Sequence, residues 1–280
     1  MIRGKIGALV RFYDVPTTQL WVGAVAIGLR YADENAPTGT TLSAILALAA
    51  ISLVFFYLMG INDYFDVDVD AAKEGQSVLV KGELTMKEAK YSVLIVAALG
   101  LVLAALVSIR FLLFSLVIFA MSSLYSAPPV RYKRFYPIST VGEIAGAFML
   151  FLVGYSVVGL PTTTAVFIST VTTMVAASAR LRQEARRVDF DGLTGKGTVA
   201  VVHGARVARL ISRVLVVAAL VEVFALHLYG LLSGSTALLA GLFVVAPVLV
   251  KQVQEKHLIR LATLTWGFVL YLLVLFVPAF

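Results

Sequence analysis

The sequence predicts an all-α integral membrane protein of about nine transmembrane helices in a single bundle, two pseudo-equivalent four-helix halves plus one. Three observations predict it. The 280 residues are 60% hydrophobic and 14% charged, with a mean hydropathy of +0.94, whereas soluble domains run about 45–50% apolar and about 25% charged. The apolar residues fall in runs of about 20, the length a helix needs to cross hydrocarbon. The basic residues lie almost entirely between those runs.

The runs fall near 15–31, 41–65, 88–108, 110–126, 139–159, 162–184, 206–230, 235–254 and 259–280. Ahead of the first, Ile2, Ile6, Leu9, Val10 and Tyr13 read either as a short amphipathic helix on the membrane surface or as a frayed basic start. Arg3, Lys5 and Arg11 without a small-residue cleavage site do not read as a signal peptide. The third and fourth runs are separated only by Ile109 and Arg110, which implies a tight hairpin. All of 1–280 is one transmembrane domain in this reading, with a first motif at 62–70, a basic loop at 125–134 and a second motif at 184–195.

A net charge of +7 would suggest nucleic acid in a soluble protein. Here it is a topology signal, and no nucleic-acid partner is expected. Of the 23 Lys and Arg, all but Arg30 and Arg110 fall at the N-terminus or within 66–90, 131–134, 180–213 and 251–260. The positive-inside rule makes that side cytoplasmic in a cell membrane, with Phe280 outside after an odd number of crossings. The long cytoplasmic connections follow the second and sixth runs, four helices apart on one side, which is the basis for the two halves. The chain has no cysteine, which excludes a disulfide scaffold and a thiolate metal site or nucleophile.

The sharpest local pattern is Asn62-Asp63-Tyr64-Phe65-Asp66-Val67-Asp68-Val69-Asp70. On a helix Asn62, Asp66 and Asp70 line one face, with Asp63 beside them. Like charges so close repel unless a cation intervenes, and oxygen ligands suit Mg²⁺, which typically shares carboxylates with phosphate oxygens. A solvated acidic helix end is the competing reading. A second acidic set follows the sixth run: Glu184 and Asp191 share a face if the helix continues, with Arg187 between, and Asp189 points elsewhere. Gly192, Gly195 and Gly197 then break the helix. Lys73 and Lys81, and Arg131, Lys133 and Arg134 in the loop that begins at Tyr125, are candidate clamps for a diphosphate. Positive-inside anchoring explains their presence but not their proximity to two acidic sets. Carboxylates, divalent cations, basic groups and a membrane interior together suit a diphosphate carrying a hydrocarbon tail.

On these residues the chain resembles the UbiA superfamily of intramembrane prenyltransferases. The Asn-Asp-x-x-Asp-x-x-x-Asp motif is complete at 62–70, and Tyr125-Ser-Ala-Pro-Pro with Lys133 resembles the family's Tyr/Lys loop. Asp191 and Gly195 keep the register of the second motif, and Glu184 stands where many members have aspartate. Arg187 stands where another aspartate is common, and Ser77-Val78 replaces a common Arg-Pro pair.

The resemblance implies two Mg²⁺ ions held by Asn62, Asp66, Asp70, Asp191 and Glu184, and catalytic roles for Asp63, Asp66, Asp70 and Asp191. It implies a prenyl diphosphate contacted by Lys73, Lys81, Tyr125, Arg131, Lys133 and Arg134. The implied reaction transfers a polyprenyl group, geranylgeranyl by preference, to a lipophilic acceptor. Only two asparagines, Asn35 and Asn62, point to a thermophile and favour geranylgeranylglyceryl phosphate of archaeal ether lipids. An aromatic acceptor such as 4-hydroxybenzoate, or another quinone or tetrapyrrole precursor, comes second. A cation-coupled transporter is the rival class, although transporter sites lie near the midplane and these carboxylates lie at one face.

Glu143, just inside the fifth run, either serves an acceptor or pairs with a neighbouring arginine. Glu222 and His227 are read as partners of neighbouring helices, and His203 as solvated. The oligomeric state is not readable from the sequence; membrane lipids are the expected surroundings.

Overall fold

The computed structural model describes residues 2–35, 41–71 and 77–234, with a few positions between 237 and 244. Every regular element described is helical. In chain order they are α1 (Ile2–Phe12), α2 (Val15–Asn35), α3 (Thr41–Phe65), α4 (Val67–Ala71), α5 (Met86–Val107) and α6 (Ile109–Ser126). There follow a 3₁₀ turn (Tyr132–Arg134), α7 (Ile138–Tyr155), α8 (Thr163–Arg186), α9 (Val188–Leu193), α10 (Val199–His203) and α11 (Ala205–Leu228).

Among the described residues six helices are long and apolar enough to cross a bilayer: α3, α5, α6, α7, α8 and α11. The first predicted span is present as α2, but Thr17, Thr18, Gln19 and Arg30 make it less apolar than these six. The last two predicted spans and the C-terminal orientation lie largely outside the described residues. The chain is a multi-pass membrane protein; Leu94, Ile95, Leu99, Val102 and Leu106 on α5 and Val217, Val221 and Phe224 on α11 are exposed, as lipid-facing side chains are.

Local chemistry sets the helix ends. Thr85 and Glu88 form a reciprocal capping box that opens α5. The hairpin expected at Ile109-Arg110 turns one residue earlier: Ser108 is extended, closes α5, and its hydroxyl accepts from Phe111 N to start α6. A hydroxyl at the N-cap satisfies an orphan N–H where no water is available, which is why Ser108 and not Arg110 makes the joint. Arg110 instead donates to the Val158 carbonyl beyond α7.

The N-terminal segment forms helix α1 and not a frayed start. Lys5 pairs with Glu88 at 2.8 Å and Arg11 pairs with Glu83. Ala8 and Phe12 are buried with Tyr57, Ile61, Val78, Leu79 and Val93. The segment 77–85 and α1 thus cover the end of α3 from which the first motif emerges.

The two-half arrangement is visible in the packing. α3 packs along α5 and α8 along α11, while α2 and α7, the leading helices of each half, cross one another. At that crossing a Cβ on Gly28 would lie 2.0 Å from Phe151 O, and one on Gly154 would lie 1.9 Å from Val25 O. Small residues let backbones touch where lipid provides no hydrophobic drive between helices. A buried pair, Ser178 and Ser212, joins α8 to α11 through Oγ atoms 3.0 Å apart.

Gly154→Ala is expected to destabilise the bundle by at least about 1–3 kcal/mol, the usual cost of overpacking. Gly146→Ala, where nothing lies within 4 Å, is expected to stabilise α7 by about 0.5–1 kcal/mol. Thermal melting in one detergent compares them; equal melting temperatures would mean that the crossing is not tight.

Candidate active site

The first motif occupies the last turn of α3 and α4. The helix is interrupted only at Asp66, and Asp70 N still donates to Asp66 O at 2.7 Å, so the helical register carries through. Asp63, Asp66 and Asp70 remain close enough to repel one another, and the Asn62 amide hydrogen-bonds Asp63. Asp68, off this face, is exposed.

The loop after α6 folds back to neutralise Asp66. Arg131 adopts a left-handed backbone (φ 42°), and its guanidinium donates to Phe65 O at 2.7 Å and Asp66 Oδ1 at 2.5 Å. The Lys133 ammonium donates to Asp66 Oδ2 at 2.6 Å and Asn62 Oδ1 at 2.9 Å. Ser126 also donates to Asn62 Oδ1, at 3.3 Å. Lys133 is buried (6% exposed). Burial pulls its ammonium below the usual lysine range, and the Asp66 carboxylate works against that shift.

A continuous line of contacts runs from Lys133 to the second acidic set. Lys133 Nζ lies 5.9 Å from the centre of the Tyr125 ring, and the Tyr125 hydroxyl donates to Glu143. The other oxygen of Glu143 pairs with Arg180 Nε at 2.6 Å, and Arg180 Nε also reaches Glu184 Oε1 at 3.1 Å. Glu184 and Asp191 are buried, at 2% and 5% exposed. The helix breaks between them at Arg187, which is exposed, as is Asp189. The two carboxylates therefore turn inward together without one continuous helix.

Beyond Asp191 the chain is held against the basic loop. Lys196 N donates to Asp191 O at 2.8 Å, and Ser139 Oγ donates to Gly197 O at 3.2 Å. A Cβ on Gly197 would lie 2.8 Å from Tyr136 Cβ and 3.0 Å from Tyr136 N. Lys196 is brought down to about 8 by burial and then by the Arg180 charge, with Glu143 and Asp191 opposing and Lys133 adding to the fall. Lys196 thus responds to the second acidic set and to Lys133 of the basic loop, which itself pairs with Asp66.

The structure brings together Asn62, Asp63, Asp66, Asp70, Tyr125, Arg131, Lys133, Glu143, Glu184 and Asp191. Arg134 and Lys81 are exposed and make no ion pair among the described residues. Lys73 lies outside the described residues. Glu143 takes the arginine-paired alternative. Glu222 accepts from Thr170 on α8, His227 bonds to Leu232 O at 3.1 Å, and exposed His203 meets the Tyr136 hydroxyl at 3.1 Å. Arg180 and Lys196 are the site residues that sequence reasoning missed. The signal for Lys196 was its place between Gly195 and Gly197; Arg180 had none, because it reads as a helix-end anchor.

Among the described residues no three His, Asp or Glu side chains gather into a ready metal cage, since Asp66 is drawn to two bases and Glu184 to Arg180. The donor chemistry nevertheless fits a hard divalent cation. The donors are carboxylate and amide oxygens, the carboxylates outnumber the bases around them, and Glu184 Oε2 is buried without a hydrogen-bond partner.

The chain matches the UbiA prenyltransferase family over residues 20–275. A digeranylgeranylglyceryl phosphate synthase of Pyrococcus abyssi is 27% identical over 160 residues, 55% of this chain and 54% of that protein. The chain thus spans about half the length of that relative. A 2-acylphloroglucinol 4-prenyltransferase of Humulus lupulus is 36% identical over 93 residues, 32% of this chain and 23% of that protein. A solved UbiA homologue from Archaeoglobus fulgidus, bound to GPP and Mg²⁺, superposes with a TM-score of 0.77 at 18% identity, covering 95% of this chain and 98% of that one.

Removing Arg180 leaves Glu143 and Glu184 with uncompensated charge in a low-dielectric site, which costs about 3–5 kcal/mol for a buried pair. Arg180→Met is therefore expected to melt well below wild type, and adding Glu143→Gln and Glu184→Gln is expected to recover most of the loss. Melting of the single variant at the wild-type temperature would show that the network carries no stability.

Proposed function

The chain belongs to the UbiA prenyltransferase family, and from that premise we propose that it transfers a polyprenyl group, geranylgeranyl in our reading, from its diphosphate to a lipophilic acceptor. The proposed acceptor is geranylgeranylglyceryl phosphate, and the proposed product class is archaeal ether lipid. The observation that carries the reading is the contact line from Asp66 through Lys133, Tyr125, Glu143 and Arg180 to Glu184. It joins two acidic sets, four helices apart in sequence, at one end of an apolar bundle.

The chain's own residues divide the work. Arg131 and Lys133 bring positive charge to the diphosphate oxygens while anchored on Asp66. Arg180 holds Glu143 and Glu184 in place, and Asp63, Asp66, Asp70 and Asp191 supply the negative face. Mg²⁺, two ions in our reading, would be held by Asn62, Asp66, Asp70, Glu184 and Asp191 and would draw electrons from the leaving diphosphate. The C1–O bond of the donor then breaks, and the acceptor's nucleophilic atom bonds to C1 and loses its proton. Apolar side chains of the bundle would exclude water that would otherwise capture the allylic cation. The clustering of basic residues supports a site at the cytoplasmic face of the cell membrane.

The Humulus lupulus relative supports a second reading, an aromatic acceptor. Full-length protein in detergent, incubated with labelled geranylgeranyl diphosphate and a panel of acceptors, tests both. Product is expected with the glyceryl phosphate acceptor and is expected to disappear on chelation by EDTA. Asp66→Asn and Asp191→Asn are each expected to lower turnover by roughly a hundredfold or more; Asp191→Asn is expected to melt like wild type, and Asp66→Asn to melt below it because Arg131 and Lys133 lose their partner. Product with aromatic acceptors alone would replace the first reading by the second. Full turnover in either variant would overturn the site.

A further inference from the structure

Resting on the diphosphate reading above, we propose that Lys196 is a further binding residue of this site, supplying an ammonium to the donor's diphosphate from the second half of the bundle. The cations of the site differ in what they already hold. Arg131 and Lys133 are both committed to Asp66, and Arg180 is committed to Glu143 and Glu184. Lys196 makes no ion pair among the described residues, although Glu143, Asp191, Arg180 and Lys133 all act on it electrostatically. It can meet an incoming anion without first breaking a salt bridge.

The backbone on either side of Lys196 is anchored. Its own N–H is bonded to Asp191 O at 2.8 Å. Gly195 takes a positive φ of 66°, a conformation that costs glycine little. Gly197 fits against Tyr136 and Arg134 only because it lacks a Cβ, with Ser139 on its carbonyl. Thr198 then caps α10 by accepting from Val201 N at 3.3 Å. Lys196 is thus tied to Asp191 and Gly197 to Tyr136, Arg134 and Ser139, and this fixed backbone carries one long side chain on which Glu143, Asp191, Arg180 and Lys133 all act. A lysine ammonium is a compact charge with three donors, suited to phosphate oxygens. An anchoring role at the membrane face would not need this placement, and it would leave diphosphate affinity unchanged.

The test titrates inorganic diphosphate into the full chain in detergent with Mg²⁺, read by calorimetry, beside steady-state prenyl transfer. Lys196→Met is expected to weaken diphosphate binding by roughly tenfold or more. It is also expected to raise KM for the prenyl diphosphate while leaving KM for the acceptor unchanged. Lys196→Arg is expected to restore most of the affinity. Lys90→Met, at an exposed position on α5, is expected to bind like wild type. If Lys196→Met does not fold by thermal melting, Lys196→Gln carries the same comparison. Wild-type affinity in the neutral variants overturns the inference and leaves the transferase reading standing. A wild-type protein that binds no diphosphate overturns both.

Discussion

Charge neutralisation at one end of an apolar bundle is the constraint on which the remaining structure depends. Ionised carboxylates in a low-dielectric setting are tolerated only when paired and hydrogen-bonded. Asp66 meets this with two bases from a single loop, Arg131 and Lys133. Glu143 and Glu184 meet it with one arginine shared between two helices. Each pairing crosses between elements, so each also fixes the geometry of the fold: the first ties the α6–α7 loop to the end of α3, the second ties α7 to α8.

That arrangement explains several features that look unrelated in the chain. Arg131 is strained into a left-handed conformation, at a cost of order 1–3 kcal/mol, and two strong hydrogen bonds hold it there. Gly142 passes the Tyr132 ring where a Cβ would lie 2.5 Å away, which lets the loop fold back far enough for Lys133 to reach Asp66. Gly197 does the same for the other loop against Tyr136. Lys133 pays a desolvation cost, and Asp66 offsets part of it. Backbone strain, close packing and a buried lysine all follow from bringing two loops over one cluster of acids.

The α2–α7 crossing serves the same end from within the bundle. Backbone contact at Gly28 and Gly154 draws the leading helices of the two halves together, and the ends of α3 and α8, which carry the acidic motifs, are joined through Lys133, Tyr125, Glu143 and Arg180. α1 and the segment 77–85 then cover α3 from outside through Phe12, Val78 and Leu79. Packing far from the charges therefore decides where the charges meet.

Composition and periodicity were sufficient for the membrane class, the helix order and the acidic face of 62–70, because hydrophobic length and 3.6-residue spacing are local properties of a chain. The Asp-rich motif was legible for the same reason, and Lys133 from its place in the loop after Tyr125. Pairing between elements was not. Which arginine answers Glu143, that Glu143 and Asp191 act on Lys196, and that Ser108 makes the hairpin depend on contacts between residues distant in sequence and on which hydrogen bonds remain unsatisfied. Those were decided only when helices α2, α3, α7 and α8 packed, since the energy of a buried charge belongs to its surroundings and not to its position along the chain.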